Sequence, residues 1–262
     1  MWALRWNFYI LASLNHLTMN PCNSAARTIT ISQPAVPDKL DYILSSVRPF
    51  SQDSDYAKLQ EQAIISWAPI ARNIVFFNLR GDLSGIAQAN GITLVGPESD
   101  PPSIKQMLLW LSTKHPDASA AIVNSDIILT PDAGKIPAMA LQNSLGRAWA
   151  CTSFRRSLDT KTGVISKPED YGLDFFCATI RIWNDVALKV PGVLTIGRPV
   201  WDNWLNGFLK LYIDKSKYID ITDWRCVIHP KHENHFRLGN VTGPVELPAA
   251  HGLPTRKLPI PR

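Results

Sequence analysis

Asn124-Ser125-Asp126 places three short oxygen-bearing side chains between two apolar runs, Ala121-Ile122-Val123 and Ile127-Ile128-Leu129. An apolar run broken by small polar residues marks a buried strand that ends in a turn or a ligand site. Asp126 can supply a hard oxygen ligand to Mg²⁺ or Mn²⁺, ions usually held by one or two carboxylates together with substrate phosphates. Asn124 and Ser125 can add hydrogen bonds beside it. The alternative for the same residues is a strand-to-turn junction built on Asx turns.

Three more stretches carry candidate chemistry. Gly172-Leu173-Asp174-Phe175-Phe176 sets an acid ahead of an aromatic strand, where it either points into a cleft or caps a turn. Arg198, Trp201, Asp202, Asn203 and Trp204 fall within seven positions. Indole faces stack on the C–H faces of sugar rings while Asp and Asn take hydroxyls; a helix start with core tryptophans fits the same residues. His229, His232 and His235 can ligate a metal or donate to phosphate. Their spacing matches no standard zinc motif, and a polar surface loop is the alternative.

The elements that must position these residues can be traced along the chain. Thr28-Ile29-Thr30-Ile31-Ser32 alternates and precedes Gln33-Pro34, which predicts a first strand. Tyr56, Leu59, Ala63, Ile64 and Trp67 recur at helical spacing, after a cap at Asp53 or Ser54 and before Pro69. Ile74 to Phe77 and Ile92 to Val95 are short strands, separated by a short helix near Ser84 to Ala89. Ser103 and Gln106 form a capping box for a helix whose apolar stripe is Ile104, Met107, Leu108 and Leu111. The strand Ala121 to Val123 completes a β-α-β-α-β-α-β order, the pattern of a parallel sheet covered on both faces. Ligands bind such sheets beyond the carboxyl ends of the strands, where Asn124 to Asp126 would lie.

The second half reads differently. Trp149 to Thr152 and Phe175 to Ile180 are strand-like, and a polar loop with Arg155, Arg156, Lys161 and Lys167 is expected between them. A helix is expected from Trp201 to Tyr212, a strand from Tyr218 to Ile221, and a strand Cys226-Val227-Ile228 that ends at His229.

Composition narrows the partners. The 262 residues are 45% hydrophobic and 19% charged, which is globular and carries no disorder signature. A net charge of +5 suits an acidic ligand such as a nucleotide or a nucleic acid, without choosing between them. Four widely spaced Cys with no Cys-x-x-Cys pair exclude a zinc cluster or a dense disulfide framework, and a reducing, cytoplasmic setting is expected. Cys151, Cys177 and Cys226 sit in apolar runs and read as small core residues. Trp2 to Leu17 is signal-like but interrupted by Asn7, Asn15 and His16, and too short to span a bilayer. No integral membrane association is expected; oligomeric state is open.

Taken in order, four stretches resemble one family, the nucleotide-diphospho-sugar glycosyltransferases of the GT-A fold, in a bacterial and phage-like branch. They are Asn124 to Ile127, Gly172 to Phe176, Ile196 to Trp204 and His229 to His235; Gln62-Ala63-Ile64-Ile65-Ser66-Trp67 is similar to the family's Ala-Ile-x-Ser-Trp. The resemblance covers residues 28 to 238. Two departures stand out. Asn124 replaces the first acid of the family's Asp-x-Asp, and His-Pro-Lys-His stands where His-Gln-x-His is expected.

The resemblance implies an α/β fold with a mixed, Rossmann-like GT-A sheet, a parallel N-terminal nucleotide-binding half and a C-terminal acceptor half. The domain would run over 28–242, between an N-terminal extension (1–27) and a Pro-rich tail (243–262). The activity implied is metal-dependent transfer of a sugar from a nucleotide-diphosphate donor, a UDP-sugar foremost, to an acceptor hydroxyl on a glycan, protein or DNA. Ser32, Gln33, Lys105, Asn124 and Ser125 would bind the donor. Asp126, His229 and His232 would hold Mn²⁺ or Mg²⁺, with Mn²⁺ better suited to imidazole. Asp174 and Asp202 would bind the acceptor or act as general base; Arg198, Trp201 and Asn203 would line the acceptor site. Asn124→Asp, which restores the commoner pattern, is expected to be tolerated. Two other classes fit the residues: a transferase acting on a modified base of phage DNA, with Arg155, Arg156, Lys161 and Lys167 as a phosphate track, and a non-catalytic sugar- or nucleotide-binding domain.

Overall fold

Runs of β-branched, aromatic and small residues form the strands, and their alternation decides which face each side chain covers. The structure, a computed structural model, describes residues 38–47, 54–78, 91–96, 101–143, 148–198 and 200–232. All of them fall in one compact unit that begins at Val36. The expected strand at Thr28 to Ser32, the helix near Ser84 to Ala89 and His235 lie outside the described residues.

Within the parallel half lies β1 (Leu40–Ser45), parallel to β2 (Ala71–Phe77) on one side and to β4 (Ser119–Val123) on the other. Sequence patterning passes over β1 because Asp41 and Tyr42 interrupt its apolar run. Asp41 has a specific partner: its Oδ2 accepts from the Ser119 backbone N–H at 2.8 Å and from the Ser119 hydroxyl at 3.0 Å, which ties the starts of β1 and β4. Strand β3 (Thr93–Val95) adds in parallel to β2.

Beyond β4 the sheet changes sense. β7 (Ile165–Thr179) runs antiparallel to β4, and β6 (Ala150–Leu158) antiparallel to β7. β8 (Tyr218–Asp220) and β9 (Val227–Pro230) pair with β6 in parallel, and the two-residue β5 (Ile128–Leu129) pairs with β9. The result is a nine-stranded mixed sheet, parallel in its N-terminal half.

Helices cover both faces. Alternation along β4 sends Ala121 and Val123 to one core, with Phe76, Phe175 and Cys177; α1 (Ser54–Trp67) adds Ala63, Ile64 and Trp67 there, and α3 (Ile136–Asn143) adds Ile136 and Ala140. Ile122 faces the other core with Phe77 and Phe176, closed by α2 (Ile104–Leu111), α4 (Ile180–Lys189) and α5 (Trp201–Tyr212). Each large aliphatic or aromatic side chain fully buried there contributes about 1.5–3 kcal/mol relative to exposure. The Ser103 cap of α2 forms, its hydroxyl accepting from the Gln106 backbone N–H at 3.1 Å. The second half of the box does not, because the Gln106 amide turns toward the Gly96 carbonyl.

One expectation is corrected. The polar stretch after Thr152 is not a loop: Arg155 and Arg156 lie in β6 and Lys167 in β7, leaving only Lys161 in the turn. Register shifts between Ser153 and Leu158 bend this hairpin, the kind of irregularity that re-aims side chains.

Candidate metal and active site

The turn after β4 presents Asp126. It is closed by a hydrogen bond from the Ile127 N–H to the Asn124 carbonyl (3.2 Å), and α1 grips it along one face. Residues 56, 60 and 67 of α1 lie four and seven positions apart, hence on one side of a helix. Tyr56 donates its hydroxyl to Asp126 Oδ2 (3.2 Å), Ser125 donates to Gln60 Oε1 (2.9 Å), and Trp67 Nε1 donates to the Ile127 carbonyl (2.8 Å). Ser66 completes the grip by accepting from the Leu129 N–H at 3.0 Å. The Ala-Ile-x-Ser-Trp stretch thereby acquires a physical meaning, since Ser66 and Trp67 hold the segment that carries Asp126.

His229 lies in β9, one residue before its end, and is buried; His232 follows two residues beyond the strand. Their Nε2 atoms lie 3.4 and 3.2 Å from Asp126 Oδ2. One ligand atom from each of the three residues falls within 4.8 Å of the others. Burial alone would raise the Asp126 carboxyl, but hydrogen bonds and charge from His229 and His232 outweigh it and hold the group well below the usual carboxylate range. An ionised carboxylate with two imidazoles is a donor set that fits a divalent transition ion; Mg²⁺, which prefers an all-oxygen shell, suits it less well.

A second cluster adjoins the first. The backbone N–H of Asn124 donates to the Asp174 carbonyl (3.2 Å), because β4 ends beside the Asp174-Phe175 stretch of antiparallel β7. The Asn124 amide donates to Asp174 Oδ1 at 2.5 Å, and Arg155 Nη1 donates to Asp174 Oδ2 at 2.6 Å, so both carboxylate oxygens are taken. Burial pushes the Asp174 carboxyl up, Arg155 pulls it down and the charge on Asp126 pushes it up again, with a net rise. Contact with a permanently charged guanidinium still favours the carboxylate. Arg155 Nε also donates to Glu169 Oε2 (2.9 Å), and Ser157 donates its hydroxyl to Glu169.

Asp202 stands apart from these pairings. It is half-buried in the first turn of α5, where the Asn203 amide approaches its Oδ1 at 3.3 Å. Burial, opposed by the Asn203 backbone N–H and reinforced by the charge on Asp174, pushes its carboxyl up to about 6.

The structure sorts the residues singled out from sequence. Asp126, His229 and His232 come together, with Asn124 and Asp174 beside them. Ser125 turns inward and donates to Gln60. Trp201 is only 2% exposed, and its ring packs 5.4 Å from that of Phe176; it is a core residue, because the apolar side of α5 must close on β7. Arg198 and Asn203 are exposed. Lys105 is half-buried in the first turn of α2, outside the Asp126 cluster. Ser32 and Gln33 lie outside the described residues. The phosphate track is corrected as well: Arg155 is committed to Glu169 and Asp174, and Arg156 Nη1 donates to the Ser166 carbonyl. Asn124→Asp would set a second carboxylate against Asp174 Oδ1, so the structure gives a reason to expect that change to be costly.

Tyr56, Gln60, Ser157, Glu169 and the inward role of Arg155 went unread in the sequence. Tyr56 and Gln60 share the helical face of Trp67, which was a usable signal. Arg155 and Glu169 meet only through the hairpin, and nothing local announces it.

The mixed sheet, parallel in one half and covered by helices on both faces, is a Rossmann-like α/β fold. No family model matches the chain, and no curated protein matches it in sequence. Among solved structures, S. aureus TarS 1-349 superposes with a TM-score of 0.50 at 9% identity over 73% of this chain. The chain spans 60% of that TarS fragment. The glycosyltransferase GlyE of Streptococcus pneumoniae TIGR4 is similar at TM-score 0.37 and 14% identity, over 71% of this chain and 46% of the other. The likeness to TarS bears on the fold alone. No helix among the described residues is long and apolar enough to cross a membrane.

Proposed function

We propose that the chain transfers a sugar from a nucleotide-diphosphate donor, a UDP-sugar foremost, to an acceptor hydroxyl. The observation that carries this reading is the convergence of Asp126, His229 and His232 at the carboxyl end of β4, where sheets of this kind bind their ligands. A divalent ion held by these three residues would offset charge building on the leaving diphosphate. Tyr56 steadies the Asp126 carboxylate through its hydroxyl, and α1 fixes the turn that bears it.

Of the two acids proposed to act on the acceptor, Asp202 is the better general base. A carboxyl near 6 is partly matched to proton removal near neutral pH, whereas both oxygens of Asp174 are occupied. Asp174 is then the residue that orders the site. Ser32, Gln33 and Lys105 remain the proposed donor-side contacts, and Arg198 and Asn203 the acceptor-side ones, being exposed beside Asp202. A glycan or protein acceptor is favoured over DNA, because Arg155 is committed to Glu169 and Asp174 and drops out of a phosphate track.

The test is donor turnover over a panel of nucleotide sugars, with Mn²⁺ and with a chelator, products being weighed by mass spectrometry. Mn²⁺-dependent release of nucleotide that is lost in Asp126→Ala is expected. Full turnover in that variant would remove the assignment.

A further inference from the structure

The groups around Asp126 close into a ring. Asp126 meets His229; His229 pairs along the backbone with Ser157, its neighbour across β9 and β6. Ser157 holds Glu169, Glu169 and Asp174 both hold Arg155, and Asp174 holds Asn124, two residues before Asp126. The two segments that bring the candidate ligands together, the turn after β4 and the end of β9, are far apart in sequence. Arg155 is the ring's permanently charged group, and it bridges the two carboxylates on which the segments rest. Its side chain is 21% exposed, and those of Glu169 and Asp174 are 19% and 6%, so the contacts are shielded enough to be strong.

Gly172 belongs to the same device. Its φ is +93°, in the region only glycine enters freely, and a Cβ there would lie 2.5 Å from Arg155 Nε and 2.9 Å from its Cζ. The Gly-x-Asp stretch thus supplies both the carboxylate that Arg155 grips and the space in which it grips it.

We propose that Arg155, seated over Gly172, is a positioning residue that sets the spacing of Asp126 and His229, and so the affinity of the chain for a divalent ion, without touching the ion itself. This rests on the metal reading above. Substitutions behind metal ligands commonly cost 10- to 100-fold in affinity.

Mn²⁺ titration of the full chain by calorimetry, with thermal unfolding run in parallel, tests it. Arg155→Met should weaken Mn²⁺ binding about tenfold or more while the chain stays folded. Arg155→Lys, which keeps the charge but reaches one carboxylate, should recover part of that loss. Gly172→Ala should weaken binding similarly, and Arg155→Met/Gly172→Ala should be no worse than Arg155→Met alone, since both changes undo one seat. A folded Arg155→Met chain with unaltered Mn²⁺ affinity overturns the proposal, as do additive losses in the double variant. Should Arg155→Met not fold, Glu169→Gln carries the same test: about tenfold weaker binding supports the ring, unaltered binding overturns it. An unaltered chain that binds no Mn²⁺ overturns the metal reading itself, and the ring's role with it.

Discussion

Asp126 and Asp202 are the same residue type and both interact electrostatically with Asp174, yet their surroundings drive them in opposite directions. Asp126 is buried among partners, with two imidazoles and a phenol on one carboxylate oxygen, and it is held ionised. Asp202 is half-buried with little to stabilise its charge and with Asp174 repelling it, and it rises to about 6. Environments that push two carboxyls apart mark different tasks for them. The first is suited to bind a cation and the second to take a proton. Residue type alone does not separate these roles; the partners supplied by α1, β9 and β7 do.

The largest expected effect is on the Asp126 side. Asp126→Ala should abolish Mn²⁺ binding and donor turnover in a chain that still unfolds cooperatively, because no other carboxylate meets both His229 and His232 among the described residues. Asp202→Asn comes next: loss of a general base should slow transfer by about 10²- to 10⁴-fold, with donor affinity by calorimetry unchanged. An equal loss of donor affinity would erase the contrast between the two acids.

Acidity offers a sharper version. Transfer should rise as pH increases through about 6, as Asp202 ionises, and this step should vanish in Asp202→Asn. Stability should run the other way. Between 3.8 and about 6 the folded chain holds the Asp202 proton more tightly than the unfolded chain, so this residue's contribution falls as pH rises through that window. Asp202→Asn should therefore be more stable than the unaltered chain at neutral pH, measured by denaturant unfolding at pH 4 and pH 7.

Smaller effects test the scaffold. Asn124→Asp replaces a donor by an acceptor facing Asp174, and should cost about 1–3 kcal/mol of unfolding free energy. Ser125→Ala removes the bond to Gln60 and should cost about 1 kcal/mol, leaving Mn²⁺ affinity in place. A loss of Mn²⁺ binding there would mean that Ser125 serves the ion directly, against its inward orientation.

The sequence exposed those features whose cause is local. The Ser103 cap and apolar stripe of α2 and the limits of α5 follow from periodicity within one segment, and the structure agrees with both. The strand end at Asn124 was readable because apolar residues give way to polar ones there. β1 escaped notice because Asp41 finds its reason in Ser119, far along the chain. Trp201 was misplaced because a tryptophan beside an acid looks alike on a sugar platform and on a helix packed against Phe176. Arg155 was read as surface charge because its partners come from β7 across a bent hairpin, a long-range pairing that no local pattern carries.

The most direct test of the account is nucleoside-diphosphate binding by calorimetry in Mn²⁺ and in chelator, for the unaltered chain and for Asp126→Ala. The account predicts that at least one member of a nucleoside-diphosphate panel binds the unaltered chain only when Mn²⁺ is present, and that Asp126→Ala binds none. A chain that binds Mn²⁺ but no nucleoside diphosphate, or an Asp126→Ala variant that binds one as tightly as the unaltered chain, would contradict it.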